Sequence, residues 1–477
     1  MRPFLLAFLL AGASARPAMA QDRTIGLLIH DETRASSGYT LLPPKHNGRT
    51  YLIDNHGQVI NTWDSKYEPG QSAYLLENGH LLRAAMLPSS GSLGTGGGEG
   101  GRIEEYDWEG NLVWEFEYAT STYSIHHDIR LLPNGNILAL LVERKNQSEV
   151  LAAGFKPDLL LDNFLLPDAV VEIEPVRPKG GRIVWEWHVW DHLIQSFDSS
   201  RNNYGKPSEH PELVDPNASP RRIPAFWNHM NSIDYHPVLD QILLSVRGNS
   251  EVWIIDHSTT KAEAASHGGG KYGKGGDLLY RWGNPQMYYA GKQPDQMLYE
   301  QHDAQWIEAD RPGAGDLLIF NNGVNRPGGN LSSADEITVP VDVNGNYELT
   351  NGAAYAPKLL TWTFAGLTGK DFYESDISGA YRLPNGNTLL CYGTHGVLVE
   401  VTPAGEIVWQ YVNPVERTGP MRQGSTPSLD DRGHNLNAVF RVRRYPADYV
   451  GLMGRDLTPR GAIELPAVAN NQAADKQ

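Results

Sequence analysis

Two short hairpin patterns alternate along almost the whole chain, and this repetition constrains the fold more than any other feature. In the first pattern an apolar strand runs through an Asn-Gly or Pro/Gly turn into a second apolar strand, as at 73–82, 128–140, 231–245, 304–320 and 380–390. The second pattern is a hairpin whose last strand carries a tryptophan, as at 51–63, 102–116, 170–187 and 397–411. Asn-Gly supplies the positive φ angles that a tight hairpin needs. One copy of each pattern predicts a four-stranded antiparallel sheet.

Pairing the patterns predicts an all-β chain built as a six-bladed β-propeller. Five blades are predicted at 73–116, 126–187, 229–282, 302–364 and 378–411. The hairpin 51–63 lacks an inner partner, and the strand Ala438–Tyr445 can complete a sixth blade. N- and C-terminal strands would then close the ring and remove free sheet edges. A stack of sheets that does not close is the alternative.

The ends of the chain and its polar inserts complete the predicted organisation. Residues 1–20 resemble a secretory signal peptide, with cleavage expected after Ala18-Met19-Ala20, which predicts a periplasmic or secreted protein without membrane insertion. Residues 21–463 are predicted to form a single propeller domain with loop inserts at 188–228, 265–277 and 413–437, and 464–477 a disordered tail. The single cysteine, Cys391, excludes an internal disulfide. The sequence does not indicate an oligomeric state.

The net charge limits the ligands that such a chain can bind. The formal charge is −16, and no Lys/Arg-rich run occurs. Nucleic acid is therefore not expected as a partner. An anionic substrate would need a local basic site, which makes the positions of individual arginines informative.

Aligning the first-pattern hairpins on their turns places histidine at one equivalent position in three blades. The residue that starts the first strand is His127, His229 or His302 in these blades, and Ser378 or a residue near Gln71 in the others. In a propeller this strand lines the central channel, so these residues should meet at one mouth. An isolated histidine in a β protein is usually a hydrogen-bonded polar residue without a catalytic role. We leave seven others unassigned on that ground, namely His188, His192, His210, His236, His257, His267 and His434.

The end of the second strand lies at the same mouth. There the sequence has Arg144, Arg247, Arg326 and His395. Arginine binds oxyanions bidentately, and an imidazole kept neutral by nearby positive charge is a competent nucleophile or general base. The register therefore predicts an anion-binding, histidine-rich site. The glycine run 95–101 lacks the Lys-Ser/Thr of a phosphate-binding loop and is interpreted as a blade connection.

Several of these segments resemble the bacterial arylsulfate sulfotransferase family, of which the chain looks like a divergent member. The resemblance covers roughly residues 40–450 and is carried by WNHMNSIDYHPVLDQILLSVRGNSEVWIIDHSTT (227–260), QHDAQW (301–306), FNNGVNR (320–326) and 383–411. It implies a periplasmic six-bladed propeller that transfers a sulfuryl group from a phenolic sulfate ester to a phenol through a sulfohistidine, without a cofactor. The resemblance includes no clear N-terminal accessory domain, and the single cysteine excludes the intramolecular disulfide that such enzymes can carry.

Position by position, the resemblance implies the roles of the site residues. His395 would be the nucleophile, His302 the acid/base, and His229 and Arg326 the groups that bind the sulfate. The register adds further candidates for substrate binding, namely His127, Arg247, Arg144, Asn322 and Trp306. Aromatic residues that could enclose the phenyl ring are Phe226, Trp227, Tyr272 and Trp306.

Two other hypotheses remain open at this point. His127, His229, His302 and His395 could instead hold one transition-metal ion in an oxidoreductase or lyase that acts on phenolic compounds. The chain could also be a non-catalytic propeller that serves as a binding module.

Overall fold

Each pair of hairpin patterns folds into one antiparallel sheet, as the repeats predict. The computed structural model describes residues 23–88, 93, 98, 100–219, 222–350, 352–366, 373–431 and 433–468. Six sheets stand in a ring and form an all-β propeller. The predicted signal peptide lies outside the described residues. No helix in the described ranges is long and apolar enough to cross a membrane.

The chain contributes one strand to blade 5 and three to blade 6 before it enters blades 1 and 2. The first four are β1 (Gly26–His30), β2 (Tyr39–Leu42), β3 (Arg49–Asp54) and β4 (Val59–Asp64). Blade 1 consists of β5 (Pro69–Leu75), β6 (Leu81–Met86), β7 (Gly101–Tyr106) and β8 (Leu112–Glu117). Blade 2 begins with β9 (Tyr123–Leu131) and β10 (Ile137–Glu143). The connection between β10 and the third strand of this blade contains β11 (Lys145–Asn146), α1 (Gln147–Ala152) and β12 (Phe164–Leu165). The blade ends with β13 (Asp168–Pro175) and β14 (Gly181–His188).

Blades 3 to 5 repeat this plan. Blade 3 contains β15 (Met230–His236), β16 (Gln241–Val246), β17 (Glu251–Asp256), α2 (Lys261–Ala264) and β18 (Tyr280–Trp282). Blade 4 contains β19 (His302–Trp306), β20 (Leu317–Asn321), β21 (Ser333–Ile337) and β22 (Trp362–Phe364). Blade 5 contains β23 (Gly379–Arg382), β24 (Thr388–Tyr392), β25 (Val397–Val401) and β26 (Ile407–Val412).

The last strands come from the predicted third insert and the chain end. They are β27 (Val415–Glu416), β28 (Gly419–Pro420) and β29 (Arg443–Tyr445). Strand β29 pairs with β2, so blade 6 has the order β29-β2-β3-β4. Strand β1 adds to the outside of blade 5 beside β26. Of the predicted tail, Leu465 exchanges backbone hydrogen bonds with Met421 and Gln423.

The tryptophans of the second pattern link each blade to the next. In every blade an indole N–H on the fourth strand, counted from the channel, donates to a backbone carbonyl of the following blade, at 2.7–3.0 Å. The six donors are Trp63, Trp114, Trp187, Trp282, Trp362 and Trp409. Five of these indoles are buried and Trp362 is half-buried, and each satisfies its only polar group. These repeated contacts fix the six blades in the ring that positions the channel mouth.

Candidate functional site

A bulge at the start of the inner strands turns side chains into the channel mouth. The register of β9, β15 and β19 shifts at this point. His127, His229, Asp303 and Ser378 have positive φ values of 48°, 49°, 51° and 83°. Left-handed backbone is unfavourable for residues other than glycine and clusters at functional sites, and bulges re-aim side chains in the same way. The positive φ falls on the predicted residues His127, His229 and Ser378 in blades 2, 3 and 5, whereas in blade 4 it falls on Asp303, one residue after the predicted His302.

The three predicted strand-start histidines do come together. The ring centroids of His127 and His229 lie 5.1 Å apart. Phe440 lies between His127 and His302, with centroid distances of 6.0 Å and 6.5 Å. Gly98 packs so closely on His127 that a Cβ there would come within 2.1 Å of Cε1, so this position of the glycine run requires glycine. Three imidazoles from three blades thus converge at one mouth.

Burial and positive charge keep these imidazoles neutral. Burial, followed by Arg247, lowers the pKa of His302 to about 3. The same two causes lower the pKa of His229 well below its ordinary value. Burial, His126 and His229 do so for His127. A neutral imidazole carries a lone pair, so each can accept a proton or a hydrogen bond.

The hydrogen bonds of Asn322 determine which nitrogen of His302 carries the proton. The Asn322 Nδ2 donates to the carbonyls of Glu374 and Ile377, which leaves Oδ1 as an acceptor. His302 Nδ1 lies 2.8 Å from that oxygen and therefore donates to it. The unprotonated nitrogen of His302 is then Nε2. Asn322 thus orients His302, and its predicted contact with substrate stays a prediction.

His126 and Asp168 hold His127 in the same manner, and the sequence reasoning missed both. His126 Nε2 lies 2.9 Å from Asp168, and the two Nδ1 atoms of His126 and His127 are 2.8 Å apart. If His126 faces the carboxylate with Nε2–H, its Nδ1 must accept, so His127 Nδ1 donates and Nε2 carries the lone pair. The adjacent histidines His126 and His127 are the one sequence feature that could have indicated His126, and no feature indicated Asp168.

His395 lies at the end of β24 and is held by a carboxylate that the sequence did not indicate. Its Nδ1 is 2.6 Å from the Glu374 carboxylate, which is fully buried, while the His395 side chain is 48% exposed. Glu374 also accepts from the Thr394 backbone N–H at 2.8 Å and from the Thr394 hydroxyl. A carboxylate on Nδ1 fixes the tautomer and raises the basicity of Nε2.

The predicted arginines have different surroundings. Arg247 pairs with Glu300 at 2.5 Å and acts electrostatically on both His229 and His302. Arg326 donates to Ser333 at 3.1 Å and lies over the Tyr299 ring. Arg144 stacks on Phe164 and is exposed. Only Arg247 has described contacts that connect it to the histidines.

A cavity of about 700 Å³ opens beside this cluster. Its lining includes His229, Arg247, Phe226, Trp227 and Tyr299. The Phe226 ring stacks on His229 at a centroid distance of 4.4 Å. The insert 188–228 supplies Phe226 and Trp227, whereas Tyr272 and Trp306 do not line the cavity.

Trp306 and Tyr272 have structural contacts elsewhere. Trp306 packs edge-to-face on His236 at 5.3 Å. It follows His302 by four residues, which is about 13 Å along a strand. The Tyr272 hydroxyl donates to the Leu239 carbonyl at 2.5 Å.

The proposed metal ligands do not form a compact donor set. Among the described residues, groups with three donor atoms within 4.8 Å of one another are His30–Glu32–His56 and His192–His267–Asp277. Neither group contains His127, His229, His302 or His395. The distances therefore do not favour the metal hypothesis at the channel mouth.

Comparison with known proteins assigns a family to most of the chain. The family model described as Arylsulfotransferase (ASST) matches residues 29–418. No curated protein matches the chain.

Solved structures resemble the chain only distantly. A protein of unknown function from Bacteroides caccae is 10% identical, with 86% of this chain and 99% of that chain covered and a TM-score of 0.43. Hydrazine synthase from Kuenenia stuttgartiensis is 12% identical, with coverages of 66% and 71% and a TM-score of 0.34. Virginiamycin B lyase from Staphylococcus aureus is 8% identical, with coverages of 83% and 90% and a TM-score of 0.35. TM-scores this low carry no argument about function.

Proposed function

The chain belongs to the arylsulfotransferase family, and from this premise we propose that it transfers a sulfuryl group from a phenolic sulfate ester to a phenol through a sulfohistidine. We further propose that it does so after export, as a periplasmic or secreted enzyme. Family membership supports aryl sulfotransferase activity in general. The residues at the mouth support the finer mechanism.

The observation that carries the proposal is the convergence of neutral imidazoles and one arginine beside an aromatic cavity. Three histidines with lowered pKa values share this mouth with Arg247. A sulfate ester needs donors for its nonbridging oxygens, and a guanidinium supplies charged donors in a planar arrangement. Because the formal charge of the chain is −16, an anion would need such a local guanidinium, and at Arg247 it would compete with the Glu300 carboxylate.

In the first half-reaction we assign the attack to His395. Its Nε2 lone pair would form a bond to sulfur while the bond between sulfur and the aryl oxygen breaks, and the phenolate leaves with that electron pair. Glu374 would stabilise the positive charge that develops on the imidazole, because its carboxylate contacts Nδ1. Arg247 and His229 would bind the nonbridging oxygens, a role in which Arg326 also remains a prediction.

In the second half-reaction His302 would act as the general base. Its neutral imidazole can take the proton of the acceptor phenol as the phenol oxygen attacks sulfur and the bond to His395 breaks. His302 starts without that proton at neutral pH, since its pKa is about 3. His302 could protonate the leaving phenolate in the first step only if the bound sulfate ester raised the pKa of His302.

The cavity suits an aromatic substrate. Phe226 and Trp227 offer ring faces beside His229 and Arg247, so a phenyl ring and its sulfate could bind side by side. A ring between aromatic walls gains affinity from burial, while the anionic end fixes its orientation.

The direct test is incubation of the purified full chain with 4-nitrophenyl sulfate and a phenol acceptor. We expect nitrophenolate release that depends on acceptor, together with formation of the acceptor's sulfate ester. His302→Gln should lower the transfer rate by about 100-fold or more. His236→Gln, which changes the histidine packed on Trp306, should leave the rate unchanged. Absence of acceptor sulfation by the wild-type protein across several phenols would contradict the proposal.

A further inference from the structure

A second cluster of titratable groups lies between the end of blade 2 and the insert 265–277, away from the channel mouth. His192 ends the short helical turn Val189–His192 after β14, and the insert supplies His267 and Asp277. Both histidine Nδ1 atoms lie 2.8 Å from the same carboxylate oxygen, Oδ1 of Asp277. The three donor atoms all lie within 4.8 Å of one another.

From this geometry we propose that His192, His267 and Asp277 bind one divalent transition-metal ion of the zinc class. Two imidazole nitrogens and one carboxylate oxygen are a donor set that Zn²⁺ accepts, with a fourth position for water. Ligand atoms around a tetrahedral zinc ion stand about 3.3 Å apart, as bond lengths near 2.0–2.1 Å require. The contacts of 2.8 Å need to open by only a few tenths of an ångström to admit the ion.

The second nitrogen of His192 supports this assignment. Its Nε2 lies 2.9 Å from the Ala264 carbonyl, which can only accept, so Nε2 carries the proton. In the neutral ring Nδ1 then bears a lone pair that faces the lone pairs of Asp277. Such a contact is repulsive unless a cation or a second proton lies between the atoms. A backbone carbonyl on the distal nitrogen is also the usual support of a metal-bound histidine.

The surrounding loop holds these groups in place. The Trp187 indole N–H donates to the Gly276 carbonyl at 2.7 Å, and the Trp187 ring stacks on His192 at 5.6 Å. A Cβ at Gly276 would lie 2.6 Å from His192 Nε2, so only glycine fits there. His192 and Asp277 are buried, whereas the His267 side chain is 60% exposed. The fourth metal position would therefore face solvent.

A cavity of about 610 Å³ that His267 helps to line gives access to this open position. The metal would tie the insert 265–277 to the end of β14. It would also present a Lewis acid to any ligand in that cavity. Neither consequence depends on the sulfuryl transfer proposed above.

Titration of the chelator-treated full chain with Zn²⁺ and with Co²⁺ tests the assignment. We expect one tightly bound ion in calorimetry, a visible Co²⁺ absorption typical of tetrahedral coordination, and a Zn²⁺-dependent rise in melting temperature. His267→Ala should weaken binding by about 100-fold or more and abolish the temperature rise. Because His267 is exposed, the variant should fold, and its melting temperature without metal checks this.

Two control variants separate this site from others. His210→Ala removes an exposed histidine that lines the same cavity and should leave binding unchanged. His56→Ala disrupts the His30–Glu32–His56 group and should also retain the tight ion. If wild-type protein shows no tight ion, or if His267→Ala binds it equally well, the cluster is a buried ion pair and the proposal is overturned.

Discussion

At the scale of single residues, the account depends on imidazoles whose protonation is set by burial. His302 has a pKa near 3 in the folded chain, against an ordinary value of 6.5. Burial and the positive charge of Arg247 disfavour the protonated ring and so lower the pKa of His302, while Asn322 fixes the proton of the neutral ring on Nδ1. The environment that keeps His302 neutral at pH 7 should therefore be visible in the pH dependence of the free energy of unfolding.

Because the folded pKa of His302 is depressed, the unfolded state takes up the proton first as pH falls. The contribution to stability is complete above pH 6.5 and is lost progressively as pH falls from 6.5 toward about 3. We predict that His302→Gln makes the free energy of unfolding less pH-dependent between pH 6.5 and 4.5, by up to about 1.4 kcal/mol per pH unit. Denaturant titrations of both proteins across this range measure the difference. If the free energy of unfolding varied equally with pH in the wild type and in His302→Gln, His302 would not be a buried neutral imidazole.

Glu374 is a positioning residue in this account, since it contacts His395 and not the substrate. Glu374→Gln keeps the shape but removes the charge that orients Nδ1–H. We predict that kcat for 4-nitrophenyl sulfate falls by about 10–100-fold while KM changes little. The matched control is Glu406→Gln, whose carboxylate is exposed and pairs with Arg34. A rise in KM at unchanged kcat would place Glu374 in substrate binding instead.

At the level of strands and blades, the repeated tryptophan joins each blade to the next. Each indole fills the outer face of one blade and donates to the next. Trp187→Phe should lower the free energy of unfolding by about 1–3 kcal/mol, because the Gly276 carbonyl loses its donor. Trp187→Ala should lower it by about 3–5 kcal/mol, because a large cavity is added. A loss near zero for Trp187→Phe in chemical denaturation would show that the hydrogen bond contributes nothing, and equal losses for the two variants would show that the packing of the ring contributes nothing.

The strand pattern predicted the blades well because hairpin turns and apolar alternation are local. His127, His229 and His302 could be aligned for the same reason, since one register fixes three positions. Glu374 could not be predicted, because it lies in a connection without a repeat and meets His395 only after the blade has folded. Trp306 was wrongly placed close to the mouth, because sequence proximity to His302 does not give spatial proximity along an extended strand. It shares a strand with His302, yet four residues of extended chain separate it from the mouth.

At the scale of the whole molecule, one arginine bridges the channel. Arg441 lies just before β29 and contacts Asp303 of blade 4 at 2.8 Å and Asp128 of blade 2. All three side chains are buried. Composition and periodicity did not indicate this contact, because its partners are brought together only by the ring.

Removing Arg441 should be costly, because two carboxylates would be left buried without their partner. We predict that Arg441→Met lowers the free energy of unfolding by about 3–5 kcal/mol. Arg34→Met, which removes an exposed pair with Asp31 and Glu406, should cost less than about 1 kcal/mol. A similar small effect for both variants would mean that the channel carboxylates are protonated or hydrated in solution.

The proposed mechanism requires that the ring of blades creates a histidine that carries a sulfuryl group. It is tested most directly by incubating the full chain with an aryl sulfate in the absence of acceptor and mapping the modified peptide by mass spectrometry. The account predicts one added sulfuryl group on His395, lost when a phenol is supplied and missing in His395→Ala. Unchanged labelling of His395→Ala, or acceptor sulfation by the wild-type protein without any labelled histidine, would contradict it.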